Sequence, residues 1–124
     1  EQRCVADDSA ALASCEREMR VQFEFNVYDL TPEAREVLDG FAKCMQQNGE
    51  WRLTIEGHAD ERGTTQYNLD LGEKRARAVA EYLGRLGVPQ GRLRTVSYGE
   101  ERPADPSSSE EAWSQNRRGV LIIK

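Results

Sequence analysis

The chain has 124 residues, of which 38% are hydrophobic and 31% carry a formal charge. This length and composition predict one globular domain with a single modest core and exclude a multi-domain organisation. Acidic side chains number 22 against 17 basic ones, and the formal net charge of −5 has the wrong sign for a protein held to nucleic acid by phosphate contacts. No apolar run approaches the ~20 residues that cross a bilayer, so we expect a soluble chain from which any export signal has been removed.

The cysteines and the single histidine give no metal-binding pattern. Cys4, Cys15 and Cys44 form no CxxC pair, and His58 is the only imidazole. A structural metal needs about four ligands of these types, so we expect no metal and no cofactor. Three cysteines permit three single-disulfide pairings, or none in a reducing compartment, and composition leaves these alternatives open.

The N-terminal part of the chain predicts an arm followed by a strand. Residues 1–18 are weakly periodic and predict an N-terminal arm, which leaves a domain over residues 19–124. Within that domain Val21, Phe23 and Phe25 alternate with polar residues. This alternation is typical of a strand with one buried face.

The first long helix is marked at both ends. Thr31 supplies an N-cap hydroxyl, Pro32 fits the first helical position, and Glu33 places an acidic group in the first turn. Apolar residues then recur every three or four positions as far as the Asn48-Gly49 stop signal.

The remaining sequence alternates between strand and helix patterns. The predicted elements are a strand at 51–56, a loop at 58–65, a long helix at 66–86, a strand at 93–98, a loop at 103–109, a short helix at 110–116 and a strand at 120–123. Right-handed crossovers in this order place both long helices on one face of the sheet. The expected fold is an α/β (α+β) two-layer sandwich, β-α-β-α-β-(short α)-β, with a four-stranded mixed sheet.

One segment joins the second predicted strand to the second long helix and carries the functional signal. It reads GHADERGTTQYNLDLGEKRARAV over residues 57–79. Helical periodicity places Asn68, Leu71 and Arg75 on one stripe, beside the core stripe of that helix. This stripe borders the loop that carries Asp60.

The same segment resembles the signature of OmpA-like peptidoglycan-binding domains. The family pattern is G-H-x-D, a glycine three residues later, an asparagine five further, then a leucine and Arg-Ala. With VQFEFNVYDL upstream and TVSYGEERP and NRRGVLII downstream, the resemblance covers about residues 19–124. Within the family it is most similar to the peptidoglycan-associated lipoproteins of the Tol-Pal system.

The resemblance implies non-catalytic recognition of the diaminopimelate residue in the peptide stem of peptidoglycan. The D-centre of that residue is a zwitterion, so its receptor needs an anion and a forked cation. By position in the motif, Asp60 takes the ammonium group and Arg75 the carboxylate, while backbone amides at the helix start assist. Asn68 is expected to order the loop through backbone hydrogen bonds, and Leu71 to wall the pocket.

The resemblance also assigns the opposite wall of the pocket to Phe25 and Asn26. The lipoproteins commonly have aspartate where this chain has Asn26, which removes any charge contact from that position. We therefore expect binding to depend less on Asn26 than on Asp60.

The resemblance implies a cellular setting as well. It places the protein in the periplasm, held to the outer membrane by an N-terminal lipid anchor that this chain does not include, as a monomer that meets TolB and TolA. Glu1-Gln2-Arg3 does not fit the small-residue motif that precedes an acylated cysteine, so Cys4 is not expected to carry the lipid. In an oxidising compartment the favoured disulfide is Cys15 with Cys44, and Cys4 with Cys15 is the runner-up.

Four other interpretations compete with glycan binding. The domain is alternatively a protein-interaction module with little glycan affinity, favoured by the departure at Asn26. Asp60 and Arg75 also fit an ordinary surface ion pair worth about 0–1 kcal/mol. A metal cluster at His58, Asp60 and Glu61 has only one imidazole to offer. A glycan hydrolase requires a carboxyl group of raised pKa, which the neighbouring basic side chains disfavour.

Overall fold

The computed structural model describes residues 18–123. Its elements are β1 (Glu18–Gln22), α1 (Pro32–Gln47), β2 (Leu53–His58), α2 (Thr65–Arg85), a 3-10 turn (Gln90–Arg92), β3 (Leu93–Gly99), α3 (Glu110–Asn116) and β4 (Arg118–Ile123). The predicted arm lies outside the described residues except for Glu18, which belongs to β1.

The sheet has the strand order β1-β4-β2-β3. β4 is antiparallel to both of its neighbours, whereas β2 and β3 are parallel. Side chains from both long helices, including Leu38 and Val79, share one core with Val21, Ile55 and Leu121 of the sheet. The predicted two-layer sandwich with a four-stranded mixed sheet is confirmed.

Both long helices begin at threonine caps. Thr31 Oγ1 accepts a hydrogen bond from the Ala34 amide at 3.0 Å, and Thr64 Oγ1 accepts one from the Tyr67 amide at 3.1 Å. These hydroxyls satisfy amides that have no partner within the helix. Since Thr64 is the cap, α2 begins one residue before the predicted start.

β1 is shorter than its hydrophobic alternation predicts. The strand ends at Gln22, and Phe25 is 52% exposed, so the prediction that Phe25 lies on the buried face is wrong. The backbone turns at Asn26, which has a φ of 61°. Asparagine tolerates this left-handed conformation better than most residues, and the turn carries Phe25 out of the core.

Two glycines bring α2 unusually close to β2. A Cβ atom on Gly57 would lie 1.6 Å from the Gly72 carbonyl oxygen, and one on Gly72 would lie 2.8 Å from the Gly57 oxygen. Only residues without a side chain permit this backbone contact. The contact fixes the first turns of α2 against the carboxyl end of β2, where the predicted site lies.

Cys44 on α1 is disulfide-bonded. Both other cysteines, Cys4 and Cys15, lie outside the described residues, so the pairing of Cys15 with Cys44 stays a prediction. Among residues 18–123, no helix combines the length and apolar character needed to span a membrane.

Candidate functional site

A small cavity lies where β1 and β2 end and α2 begins. Its lining includes all six residues predicted to bind peptidoglycan, together with Ala59, Arg62 and Tyr67: Phe25, Asn26, Asp60, Asn68, Leu71 and Arg75. The free volume is about 10 Å³. Such a space holds about one water molecule, so a larger ligand requires side chains to move.

Arg75 lies at the base of the cavity and is fully buried. Its guanidinium donates from Nε to the Val27 carbonyl at 2.9 Å, from Nη1 to the His58 carbonyl at 2.8 Å and from Nη2 to the Glu24 carbonyl at 3.0 Å. Arg75 therefore joins the segment after β1 to the end of β2. This structural role was not part of the sequence prediction.

The charge on Arg75 is only partly compensated by its surroundings. Burial lowers the pKa of Arg75 to about 10, and the nearby Asp60 carboxylate opposes this shift. Its three hydrogen bonds use three of the five guanidinium N–H groups and leave one on each terminal nitrogen. These two donors suit a planar anion such as a carboxylate.

Asp60 is also buried, with 4% of its surface exposed. Its Oδ1 accepts from the Arg62 amide at 3.0 Å and from Arg62 Nε at 3.2 Å, and its Oδ2 accepts from Arg62 Nη2 at 2.8 Å. Arg117 Nη1 lies 3.6 Å from Oδ2. Burial opposes ionisation, but the Arg62 bonds outweigh it and lower the pKa of Asp60.

The ion-pair interpretation of Asp60 and Arg75 does not describe this geometry. Arg75 bonds to backbone carbonyls, and the ion pairs of Asp60 are with Arg62 and Arg117. A buried anion and a buried cation therefore line one cavity, and each is held by other partners.

Asn68 and Leu71 lie where the helical stripe predicts. Asn68 is 1% exposed and Leu71 is 7% exposed. The Asn68 side chain donates from Nδ2 to the Glu100 carboxylate at 2.7 Å. The expected bonds from this side chain to the loop backbone are replaced by a contact with the segment after β3, because α2 and β3 pack side by side.

Asn26 contributes an amide oxygen to the rim of the cavity. Its Oδ1 accepts a hydrogen bond from the Tyr67 hydroxyl. The same segment is fixed from below by the Arg75 bonds to the carbonyls of Glu24 and Val27. Asn26 therefore holds the turn in place without supplying a charge.

Residues 22–117 match the OmpA family. The chain belongs to this family. Among curated relatives, the peptidoglycan-associated lipoprotein of Pseudomonas putida is 51% identical over 99 residues, 80% of this chain and 59% of the relative. That of Brucella melitensis is 43% identical over 104 residues, 84% of this chain and 62% of the relative. The chain thus spans about three fifths of the length of these relatives.

Two solved structures share the fold of this chain. The peptidoglycan-associated lipoprotein from Burkholderia pseudomallei superimposes with a TM-score of 0.84 at 36% identity, covering 97% of this chain and 98% of that one. The C-terminal domain of Helicobacter pylori MotB reaches a TM-score of 0.79 at 22% identity, over 86% and 84% of the two chains. The second likeness concerns the fold alone.

Two residues outside the six predicted ones, Arg62 and Trp113, belong to the side-chain cluster at this cavity. The Arg62 guanidinium lies between two aromatic rings, 3.9 Å from the centre of Phe25 and 4.2 Å from that of Trp113. This stacking is the geometry of a cation–π contact. Trp113 belongs to α3, remote in sequence from the motif, and no local pattern connects it with Asp60.

His58 is the last residue of β2 and not part of a solvated loop. It is 1% exposed, and its Nε2 lies 3.1 Å from Glu56 Oε1. Burial, together with the positive charge of Arg118, lowers the pKa of His58 to about 4. The imidazole is therefore neutral at pH 7 and packs beside the Tyr98 ring.

Proposed function

We propose that this domain binds peptidoglycan non-covalently through the diaminopimelate residue of the peptide stem. In the cell, this binding tethers the outer membrane to the wall as part of the Tol-Pal system. One observation carries the proposal: a buried carboxylate and a buried guanidinium line the same cavity, together with every other residue that the family motif assigns to the ligand.

The charges of the cavity match those of the diaminopimelate D-centre. Asp60 is held ionised by its Arg62 bonds and attracts the ammonium group. Arg75 keeps one N–H on each terminal nitrogen, enough to bond both oxygens of a carboxylate. Low solvent exposure strengthens both contacts because water competes weakly there.

Binding requires Arg62 to release some of its hydrogen bonds to Asp60. An ionised carboxylate offers about four acceptor positions, and Arg62 uses three of them. One position remains, with Arg117 Nη1 3.6 Å from Oδ2, so an ammonium group that bonds Asp60 more than once replaces Arg62 side-chain bonds. The free volume of about 10 Å³ agrees with this requirement, since Arg62 is one of the side chains that line the small space.

The proposed role is recognition without catalysis. A glycoside hydrolase needs one carboxyl group that stays protonated near neutral pH. The pKa of Asp60 moves in the opposite direction, because Arg62 stabilises the ionised form. The cavity is therefore suited to hold a cationic group, and poorly suited to deliver a proton.

Calorimetric titration with a diaminopimelate-containing stem tripeptide tests the proposal. The control ligand is the same tripeptide with lysine in place of diaminopimelate, which keeps the side-chain ammonium but lacks the D-centre carboxylate. We expect binding of the first peptide and a loss of about 10–100-fold for the second, equivalent to one charged hydrogen-bonded contact.

Two conservative variants assign the contacts. Asp60→Asn keeps the side-chain shape and removes the charge, whereas Arg75→Lys keeps the charge and removes the fork. Each is expected to lower affinity by about tenfold or more, with folding checked by circular dichroism. Trp113 lies against Arg62, so its fluorescence reports the displacement of Arg62. Failure of the folded parent domain to bind the tripeptide would contradict the proposal.

The protein partners proposed for this setting are TolB and TolA. Pull-down of purified TolB or TolA by the domain, with and without the stem tripeptide, tests these partners. A folded domain that captures either protein but has no affinity for the tripeptide would instead be an interaction module, the interpretation that Asn26 favours.

A further inference from the structure

Exposed apolar side chains lie at and beside the cavity, and three of the four, all except Phe25, are outside the residues assigned to diaminopimelate. Among residues 18–123, the exposed large hydrophobic side chains are Phe25 at 52%, Val27 at 37%, Tyr28 at 46% and Tyr67 at 44%. We call these four residues the apolar rim. A concentration of exposed apolar side chains beside a binding site marks a contact surface, whereas single ones scattered over a protein carry no such meaning.

The apolar rim is held in a fixed conformation. Arg75 bonds to the backbone carbonyls of Glu24 and Val27, on either side of the Asn26 turn. The Tyr67 hydroxyl donates to Asn26 and ties α2 to the same segment. The backbone that carries Phe25, Val27 and Tyr28 therefore needs little ordering when a ligand arrives, which lowers the entropic cost of binding.

Tyr28 connects the rim to a second, larger depression. This groove has a volume of about 400 Å³ and lies between the segment after β1, the start of α1 and the outer side of α2. Its volume falls within the range of small-molecule sites, about 300–1,000 Å³. Tyr28 and Tyr82 line it together with the charged side chains of Asp29, Arg35 and Glu81.

The lining of the groove suits a sugar ring. A pyranose presents apolar C–H faces that stack on aromatic rings, and its edge carries hydroxyl and acetamido groups that need hydrogen bonds. Tyrosine rings beside carboxylate and guanidinium groups supply both kinds of contact. The stem peptide itself is polar and charged, and offers little for exposed rings to bind.

We propose that the apolar rim and the groove behind Tyr28 bind an amino sugar of the glycan strand that carries the stem peptide. This inference rests on the proposed function, since it assigns the saccharide end of the same ligand. Phe25 and Asn26 line the cavity and Tyr28 lines the groove, so a ligand that lies along this short segment reaches both. The domain would then recognise the junction of peptide and glycan as well as the diaminopimelate tip.

A series of three ligands of increasing size tests the saccharide contact. The ligands are the free stem tripeptide, the same tripeptide on N-acetylmuramic acid, and the tripeptide on the disaccharide. We expect sugar attachment to improve affinity about tenfold, comparable to one aromatic stacking contact. Tyr28→Ala should abolish that gain and leave the affinity for the free tripeptide unchanged, while Tyr28→Phe keeps the ring and the gain.

The outcomes separate this inference from the proposed function. Equal affinities for free and sugar-linked tripeptide would overturn the saccharide contact and leave diaminopimelate binding intact. A gain that persists in Tyr28→Ala would also overturn it, because Tyr28 joins the rim to the groove. If a folded parent domain bound none of the three ligands, both proposals would fall. Urea denaturation of each variant verifies that the fold is retained.

Discussion

Replacing Arg75 with alanine removes the donor for three backbone carbonyls inside the domain. The change therefore tests whether Arg75 is a structural residue as well as a ligand residue. If Arg75 served only to bind a ligand, its truncation would leave the stability of the ligand-free domain unchanged. The structure instead predicts a large loss of stability in the absence of any ligand.

The magnitude follows from the surroundings of the three carbonyls. A buried acceptor without a partner costs about 1–3 kcal/mol. The His58 carbonyl lies in the interior and bears this cost fully, whereas the carbonyls of Glu24 and Val27 belong to exposed residues and regain water in part. With the lost packing over the Phe23 ring, we expect destabilisation of about 3–5 kcal/mol, a large share of the ~5–15 kcal/mol typical of domains.

Urea denaturation followed by circular dichroism measures this difference. The matched control is Arg77→Ala on the same helix, whose side chain is 59% exposed and pairs with Glu73 one turn away. That pair is worth about 0.2–0.5 kcal/mol. If Arg75→Ala and Arg77→Ala unfold at the same urea concentration, the structural role of Arg75 is refuted.

Three further changes test other parts of the structure. His58 is neutral in the fold, with a pKa lowered to about 4. The stability of the domain is therefore full above pH ~6.5 and falls as the pH drops toward 4, by about 3 kcal/mol in total at about 1.36 kcal/mol per pKa unit. The urea midpoint of the parent domain should be lower at pH 5 than at pH 7, and this difference should shrink in His58→Gln. Gly57→Ala forces a Cβ against the Gly72 carbonyl and should lower the thermal midpoint by the equivalent of about 3 kcal/mol. The control is Gly40→Ala, which has open space around its Cβ and should stabilise α1 by about 0.5–1 kcal/mol. Asn26→Val should lose about 1–2 kcal/mol in urea denaturation because of the positive φ. Asn26→Gly accommodates that φ and loses only the bond with Tyr67, so it should be destabilised less than Asn26→Val and should lose less tripeptide affinity than Asp60→Asn.

The helices and their starts were predictable because their signals are local. Thr31 and Pro32 mark the start of α1, and the amide that Thr31 caps belongs to Ala34, only three residues further along the chain. The stripe of Asn68, Leu71 and Arg75 likewise follows from helical periodicity alone. Sequence reasoning succeeds where a signal and its structural partner are near neighbours in the chain.

The features that sequence reasoning missed depend on contacts between distant segments. The alternation through Phe25 continues past the true end of β1, and nothing nearby shows that Arg75 binds the backbone on both sides of Asn26. Trp113 reaches the site only because α3 packs beside the loop of Arg62. Such contacts have no periodic signature, so they become visible only in the folded structure.

The contact between Gly57 and Gly72 has a consequence for how such a domain diversifies. Backbone atoms are the same size in every protein, so a spacing set by backbone against backbone is insulated from changes of side chain elsewhere in the core. Asp60 and Arg75 each lie three residues beyond one of these glycines. Substitutions among the aliphatic residues under α1 can therefore accumulate while Asp60 and Arg75 keep their separation. The size of the cavity is preserved even when the hydrophobic core changes.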